Sequence, residues 1–349
     1  MLRWLALCVA LISCGSADSP SHLDGAVSLP GRPDAAAFPA SEVDGGASAV
    51  YPVVLGSWPG DSTVTYACAK NAFGTNLSGL VYEPARAGAV SILWAVQNEP
   101  SKIHRLTCDG MAFISVTDDG WLGGKPLRYP GGTGSPDSEG LTRTDWEGTE
   151  MYVVAERDND DKDEPRQSIL RYDLSLSDAR GGWNATHEWN LTEDLPAVAE
   201  ANSGLEGIAW IPDAFLVERG FFDESRRAPY DPSAYPNHGT GVFLVGVDAT
   251  AMIYAYALDH VDGTFTRLAA FSSRQSRSTD LVFDRDQGLL WSLCDNKCNG
   301  KMTAFEIETD PSSPDVGRFV LQATVAAPKT VKDLNLEGFA MAPDSECAG

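Results

Sequence analysis

The residues most able to do chemistry in this chain are acids that recur in one register. Asp137-Ser138-Glu139-Gly140-Leu141, Gly204-Leu205-Glu206-Gly207-Ile208, Ser278-Thr279-Asp280-Leu281-Val282 and Asn335-Leu336-Glu337-Gly338-Phe339 each carry an acid at the third place. Asn76-Leu77-Ser78-Gly79-Leu80 shares the register but has Ser there. A second motif follows every segment except Asn335–Phe339: LWAVQNE (93–99), YVVAERD (152–158), FLVERG (215–220) and WSLCDN (291–296). Each is an apolar run ending in Asn98, Glu156, Glu218 or Asp295, with Arg157 and Arg219 next in line in two of them. Carboxylate and amide oxygens in that number are hard donors of the kind Ca²⁺ takes. A bound divalent cation polarises an ester, lactone or phosphoryl oxygen, and a remaining carboxylate can serve as base. Glu139, Glu206, Asp280, Glu337, Asn98, Glu156, Glu218 and Asp295 are therefore candidate Ca²⁺ ligands. Glu206, Glu156, Arg157 and Arg219 are the candidate catalytic groups. The competing structural reading has the acids capping backbone N–H groups of the next unit, or pairing with the two arginines, to hold repeats in register.

Those residues need elements that bring them together. Each unit reads as strand, turn, strand, loop, strand, with no long stretch of helical period. Units of several antiparallel strands repeated at this length predict an all-β fold, a β-propeller of five blades, or six. Acids that begin the inner strands and acids that end their neighbours then meet at one mouth of the central channel. A solenoid would need shorter coils, and a sandwich would not repeat an acidic segment. The fifth unit is followed by only eight residues after Met341, so its blade needs a strand from elsewhere, such as Val50–Leu55, or stays incomplete.

Composition narrows the partners. The chain has 349 residues, with Asp+Glu 49 against Lys+Arg 26 and a formal charge of -23. Nucleic-acid binding relies on clustered Lys and Arg, so this balance excludes it, and basic docking on anionic lipid with it. The opening Met1-Leu2-Arg3 and the apolar Trp4–Ile12 are too short to span a bilayer but suit an export signal. Leu11-Ile12-Ser13-Cys14 reads as a lipobox, making residues 1–14 a lipoprotein signal and Cys14 the lipidation site. Residues 15–48, small, acidic and Pro-punctuated, read as a flexible tether, and 49–349 as the propeller. The expected location is the bacterial envelope, lipid-anchored at the outer membrane or cell surface, with the lipid the only membrane contact. A monomer is expected.

That compartment permits disulfides. Cys294 and Cys298 are expected to bridge locally, since no second Cys pair or nearby His supports zinc. Cys347 could pair with Cys68 or Cys108. Other motifs carry less. Asp158–Asp163 opens like an EF-hand loop but has Lys162 in fifth place and no Gly in sixth, so it reads as a solvated acidic loop. No G-x-S-x-G elbow, Walker A loop or H-E-x-x-H is present. Among five His, His238, in the Pro/Asn/Gly-rich insertion Tyr230–Gly241, is the one that could act as a base. That insertion could overhang the channel mouth. His104 and His260 read as packing residues.

SEGLTRTDWEGTEMYVVAERDN, SGLEGIAW, STDLVFDRDQGLLWSLCDN and NLEGFAMAPDSEC resemble the repeats of the phytase-like (esterase-like) and SdiA-regulated β-propeller families, from about Leu77 onward. The resemblance implies a secreted or envelope-attached propeller with esterase- or phosphoesterase-like activity. The chain departs from that pattern at Ser78 and at Asp280. Two functions from different classes follow. One is a Ca²⁺-dependent hydrolase of an ester, lactone or phosphoester. The other is a non-enzymatic surface propeller that binds a protein or glycan, with loop aromatics such as Trp121, Trp183 and Trp189 as contacts, although such residues more often belong to the core.

Overall fold

A computed structural model describes residues 76–86, 89–108, 113–176, 181–198, 200–329 and 334–346, together with the backbone of Ile12–Cys14. Four sheets, antiparallel except for the short parallel pair of Trp183–Asn184 with Leu127–Arg128, follow one another along the chain. The first runs from Leu77–Glu83 through Ile92–Gln97 to Lys102–Cys108, widened at its outer edge by Phe113–Ser115, Lys125–Arg128 and Trp183–Asn184. The second is Pro136–Thr142, Glu150–Asp158, Asp161–Asp173 and His187–Asn190. The third is Leu205–Pro212, Gly241–Val247, Met252–Leu258 and Phe265–Ser272. The fourth is Asp280–Asp284, Leu289–Leu293, Met302–Ile307 and Phe319–Val325. Ala340–Ala342 takes a fifth inner position. This is the all-β propeller that the repeat predicts.

The apolar pattern explains the stacking. Strands buried on both faces send alternate residues to opposite neighbours. In Glu150–Asp158, Met151, Val153 and Ala155 pack with Trp94, Val96 and Ile103 of the first blade. Tyr152 and Val154, one residue out of phase, pack with Ile208, Trp210 and Phe243 of the third. The third blade meets the fourth through Ala209, Leu244, Ile253, Leu281 and Phe305. The fourth meets the fifth position through Trp291, Leu293 and Phe339. Ala340 packs with Leu80, Leu93 and Leu106, which brings the ring back to the first blade. Trp121, Trp183 and Trp189 all lie in these cores, so they offer no loop surface to a partner.

Why Gly follows the repeated residue is also steric. A Cβ on Gly79 would meet Gly140 Cα at 2.6 Å, one on Gly140 would meet Glu206 O at 2.5 Å, and one on Gly207 would meet Leu281 N at 2.5 Å. A Cβ on Gly338 would meet Ser78 O at 2.2 Å, between the fifth inner strand and the first. Inner strands approach backbone to backbone here, which only Gly permits.

Ile12–Cys14 lies parallel to Ala340–Ala342. Val50–Leu55, the strand expected to complete the last blade, lies outside the described residues, as do Cys8, Cys68, Cys347 and the tether. Among the described residues no helix is long and apolar enough to cross a membrane.

Two expectations are corrected. FLVERG is not a strand: Asp213–Glu218 is a short helix after the third inner strand. Pro212 in extended conformation opens a helix with Asp213 in its first turn, and of the run only Leu216 is buried. The second strand of that blade is instead Gly241–Val247, on the far side of the insertion. Asp158–Asp163 is the tip of a long hairpin between Glu150–Asp158 and Asp161–Asp173, rather than a loop.

Candidate functional site

Bulges aim the acids. The inner strand of the first blade shifts register between Leu77 and Leu80, that of the second at Asp137 and again at Glu139, and that of the third at Glu206. Glu156 sits in another shift, between Ala155 and Arg157. A bulged residue leaves the ladder and is free to point away from the sheet, here towards the propeller axis. The fourth blade, whose Asp280 is not followed by Gly, has no such shift.

The result is a buried acidic cluster. Ligand oxygens of Asp137, Glu139 and Glu156 lie within 4.8 Å of one another, and all three residues are buried. Glu139 accepts from Ser78 Oγ at 2.6 Å and from Asn98 Nδ2 at 3.1 Å. Glu156 accepts from the Gly204 backbone N–H at 2.9 Å through Oε2. Asp137 Oδ2 is in ion-pair contact with Arg157 Nε at 2.7 Å, although neither atom has the alignment of a hydrogen bond. Glu206 makes no hydrogen bond or ion pair among the described residues. Protein surrounds it, yet it keeps some accessible surface, as a side chain on a channel wall does.

Acceptors outnumber donors around this cluster. Glu156 Oε1, Asn98 Oδ1, Asn159 Oδ1, Gln167 Oε1 and Asp248 Oδ1 are buried and have no hydrogen-bond partner among the described residues. Asn159 is fixed beside Asn98 by donating Nδ2 to the Asn98 carbonyl at 2.8 Å. Gln167 and Glu156 flank the same face of Gly204. Buried oxygens left without donors are costly, and a hard cation is one of the few groups that satisfies several at once.

Proton affinities record the same crowding. Burial raises Glu139 and Glu206 well above the usual carboxyl range, and like charges add to it, Glu156 on Glu139 and Glu139 on Glu206. Burial lifts Glu156 to about 8 against the pull of the Gly204 N–H, and Glu337 to about 7 against that of Asn335. Asp137 and Asp248 are also raised by burial, opposed by Arg157 and Arg277 respectively.

The remaining expected residues divide. Asp295 is buried near the cluster and caps the turn Asn296–Cys298, accepting from Lys297 N at 2.8 Å. Glu337 accepts from the Asn335 side chain. Asp280 is spent on structure: its oxygens accept the Leu281 N–H at 2.8 Å and the Phe339 N–H at 2.7 Å, tying the fourth blade to the fifth inner strand. Glu218 and Arg219 are not brought to the cluster. They follow the opposite end of the third inner strand, where Arg219 lies over Phe215. The insertion goes there too: Asp213 N bonds to Thr240 O, so residues 230–241 overhang neither the acids nor their mouth. His238 is buried in it, held by Asp213, Tyr230 and Tyr235.

Sequence reasoning missed Asp248 and gave Asp137 no role. Asp248 ends VFLVGVD (242–248), an apolar run closing in an acid like those of the other units. Its backbone N–H bonds to Gly204 O, the position that Asn98 takes against Asn76 in the first blade. Its charge is met by Arg277. Cys294 and Cys298 are bridged, as expected from their spacing. Cys108 is exposed and unbridged.

No protein-family model matches the chain, and no curated protein does. Among solved structures it is similar to a candidate 6-phosphogluconolactonase from Bacteroides uniformis (11% identity, TM-score 0.36, covering 72% of this chain and 56% of that one). It is similar to a protein from Lactobacillus plantarum at 13% identity and TM-score 0.33, covering 72% and 56%. The nidogen/laminin complex gives 13%, 0.35, 80% and 72%. The chain thus spans little more than half the length of the first two. Superposition at this level leaves the chemistry of the site to be argued from its own residues.

Proposed function

We propose that the axial acids hold a Ca²⁺ ion and that the loaded site hydrolyses an ester, lactone or phosphoester. The observation that carries the cation is the set of buried oxygens without donors, Glu156 Oε1 and Asn98 Oδ1 foremost, beside Asp137 and Glu139. All are hard oxygens, the set suits Ca²⁺ rather than a soft metal, and the charge excess favours it. Bound there, the ion would supply electrophilic polarisation of the substrate oxygen. Glu206, on the channel wall and without a partner among the described residues, would be ionised once a cation offsets the neighbouring carboxylates, and then takes the proton as water adds to the carbonyl carbon or phosphorus. That proton then goes to the departing alkoxide. Arg157 holds Asp137 in place instead of touching substrate. The resemblance of the EG and ERDN segments to phytase-like and esterase-like propellers supports the hydrolytic part.

Calorimetric titration of the metal-free full chain with Ca²⁺, followed by ester, lactone and phosphomonoester panels with and without chelator, tests this. Stoichiometric binding with chelator-sensitive turnover, lost in Glu206→Gln while Ca²⁺ still binds, is the expected result. Ca²⁺ binding without turnover on any panel would remove the hydrolase and leave a binding propeller. No Ca²⁺ binding would remove the site itself. The location belongs to the same proposal: Cys14 carries the lipid and tethers the propeller to the envelope. Radiolabelled palmitate should enter the wild-type chain and not Cys14→Ala.

A further inference from the structure

The other mouth of the propeller carries a cavity of about 380 Å³. The backbone-to-backbone contacts at Gly79, Gly140 and Gly207 lie between it and the acids, so the two ends do not share a space. Its floor is apolar, formed by Leu80, Leu141, Ile208 and Leu281 from four successive inner strands. Trp146 and Trp210 stand in its wall, and Arg285 lies across both rings, its guanidinium carbon 4.6 Å from one centroid and 5.1 Å from the other.

Arg285, like Arg219 over Phe215, rests on aromatic faces rather than against a carboxylate. In a chain with 49 acids against 26 bases, arginines such as Arg143, Arg157, Arg277 and Arg318 each have a carboxylate in contact. Arg285 has none among the described residues. It donates Nη2 to the carbonyls of Arg143 and Thr144, at 2.8 and 3.3 Å, and the rest of its donor fork has no partner there. Asp145 is the acid whose charge bears on Arg285, but it forms no ion pair with it and accepts the Gly148 N–H, while Asp284 on the cavity wall accepts the N–H groups of Asp286 and Gln287. Glu83 pairs with Arg143, and Glu346 accepts from Tyr82 and Ala85.

We infer that this mouth binds a small ligand joining a flat apolar ring to a carboxylate, the ring on the apolar floor against Trp146 and Trp210, the carboxylate on the free edge of Arg285. The cavity is at the small end of the range for ligand pockets, which run from roughly 300 to 1,000 Å³. A rigid guanidinium fork held in place by aromatic faces is pre-set for a carboxylate.

A charge series on one ring tests it. Indole-3-acetate, tryptophol and tryptamine are titrated calorimetrically into the full chain. Indole-3-acetate should bind about tenfold or more tightly than the neutral and cationic probes, the worth of one charge-assisted pair. Arg285→Gln should abolish that preference while leaving Ca²⁺ binding unchanged. Equal affinity across the series, tighter binding of tryptamine, or no binding at millimolar concentration would overturn the inference. So would a preference that survives in Arg285→Gln. Should that variant fail to fold, the wild-type series decides alone.

Discussion

At the scale of single residues the axial acids separate into those that serve the fold and those the fold leaves unsatisfied. Asp280 exhausts both oxygens on backbone N–H groups, whereas Glu156 has one oxygen bonded to Gly204 and one without a donor. Glu156→Gln keeps an acceptor for Gly204 N–H and removes one of several crowded like charges. Its metal-free form should therefore melt at or above the wild-type temperature, while Ca²⁺ affinity falls about tenfold or more. Calorimetric titration beside melting curves checks both, and a variant that melts lower without metal would assign Glu156 to structure. Gly207→Ala should do the opposite. Its Cβ would press on Leu281 N and on Asp280 backbone atoms at 2.5 to 2.7 Å, with no flexible side chain to yield. Overpacking of that kind costs about 1–3 kcal/mol, readable in urea unfolding. A neutral outcome would mean that the inner strands are farther apart than described.

At the scale of elements, the insertion of the third blade shows what the sequence could and could not disclose. Apolar runs, the Gly spacing and the acid positions were legible because they obey local rules: two-sided burial, bulge and close approach. Asp248 was not, because residues 213–240 stand between its strand and the inner strand it pairs with. FLVERG lies at the expected distance and imitates the motif, yet turns as a helix on the opposite face. Burial of Trp121, Trp183 and Trp189 was equally hidden, since an aromatic in a loop-like stretch carries no period. The insertion is itself pinned by charge. His238 Nε2 faces Asp213 Oδ2 at 3.0 Å and the Tyr230 hydroxyl at 3.0 Å, and Nδ1 faces the Tyr235 carbonyl. Both ring nitrogens donate only in the imidazolium, and the Asp213 hydrogen bond accordingly raises the His238 pKa. A pKa raised on folding stabilises fully below the unfolded value of about 6.5 and fades as pH climbs through the folded value. Limited proteolysis within Tyr230–Gly241 should be slow at pH 6 and fast at pH 9, and fast at both in His238→Ala. Equal rates at the two pH values in the wild type would dismiss the pin.

Over the whole molecule, a net charge of -23 acts on stability in two ways that calcium and sodium can separate. Repulsion among surface carboxylates is long-ranged and yields to any salt, with screening complete over about 10 Å at 0.1 M ionic strength. Repulsion among Asp137, Glu139, Glu156 and Glu206 is buried beyond the reach of that screening, and it is relieved by protons or by a cation seated among them. Raising NaCl should therefore lift the melting temperature modestly and equally in the wild type and in Glu156→Gln. CaCl₂ at matched ionic strength should add a further rise in the wild type that grows with the logarithm of free Ca²⁺, as a ligand of the native state does. In Glu156→Gln that further rise should shrink or vanish. A calcium effect of the same size in both proteins would place the ion on the outer surface, and the axial oxygens would then have to be satisfied by water.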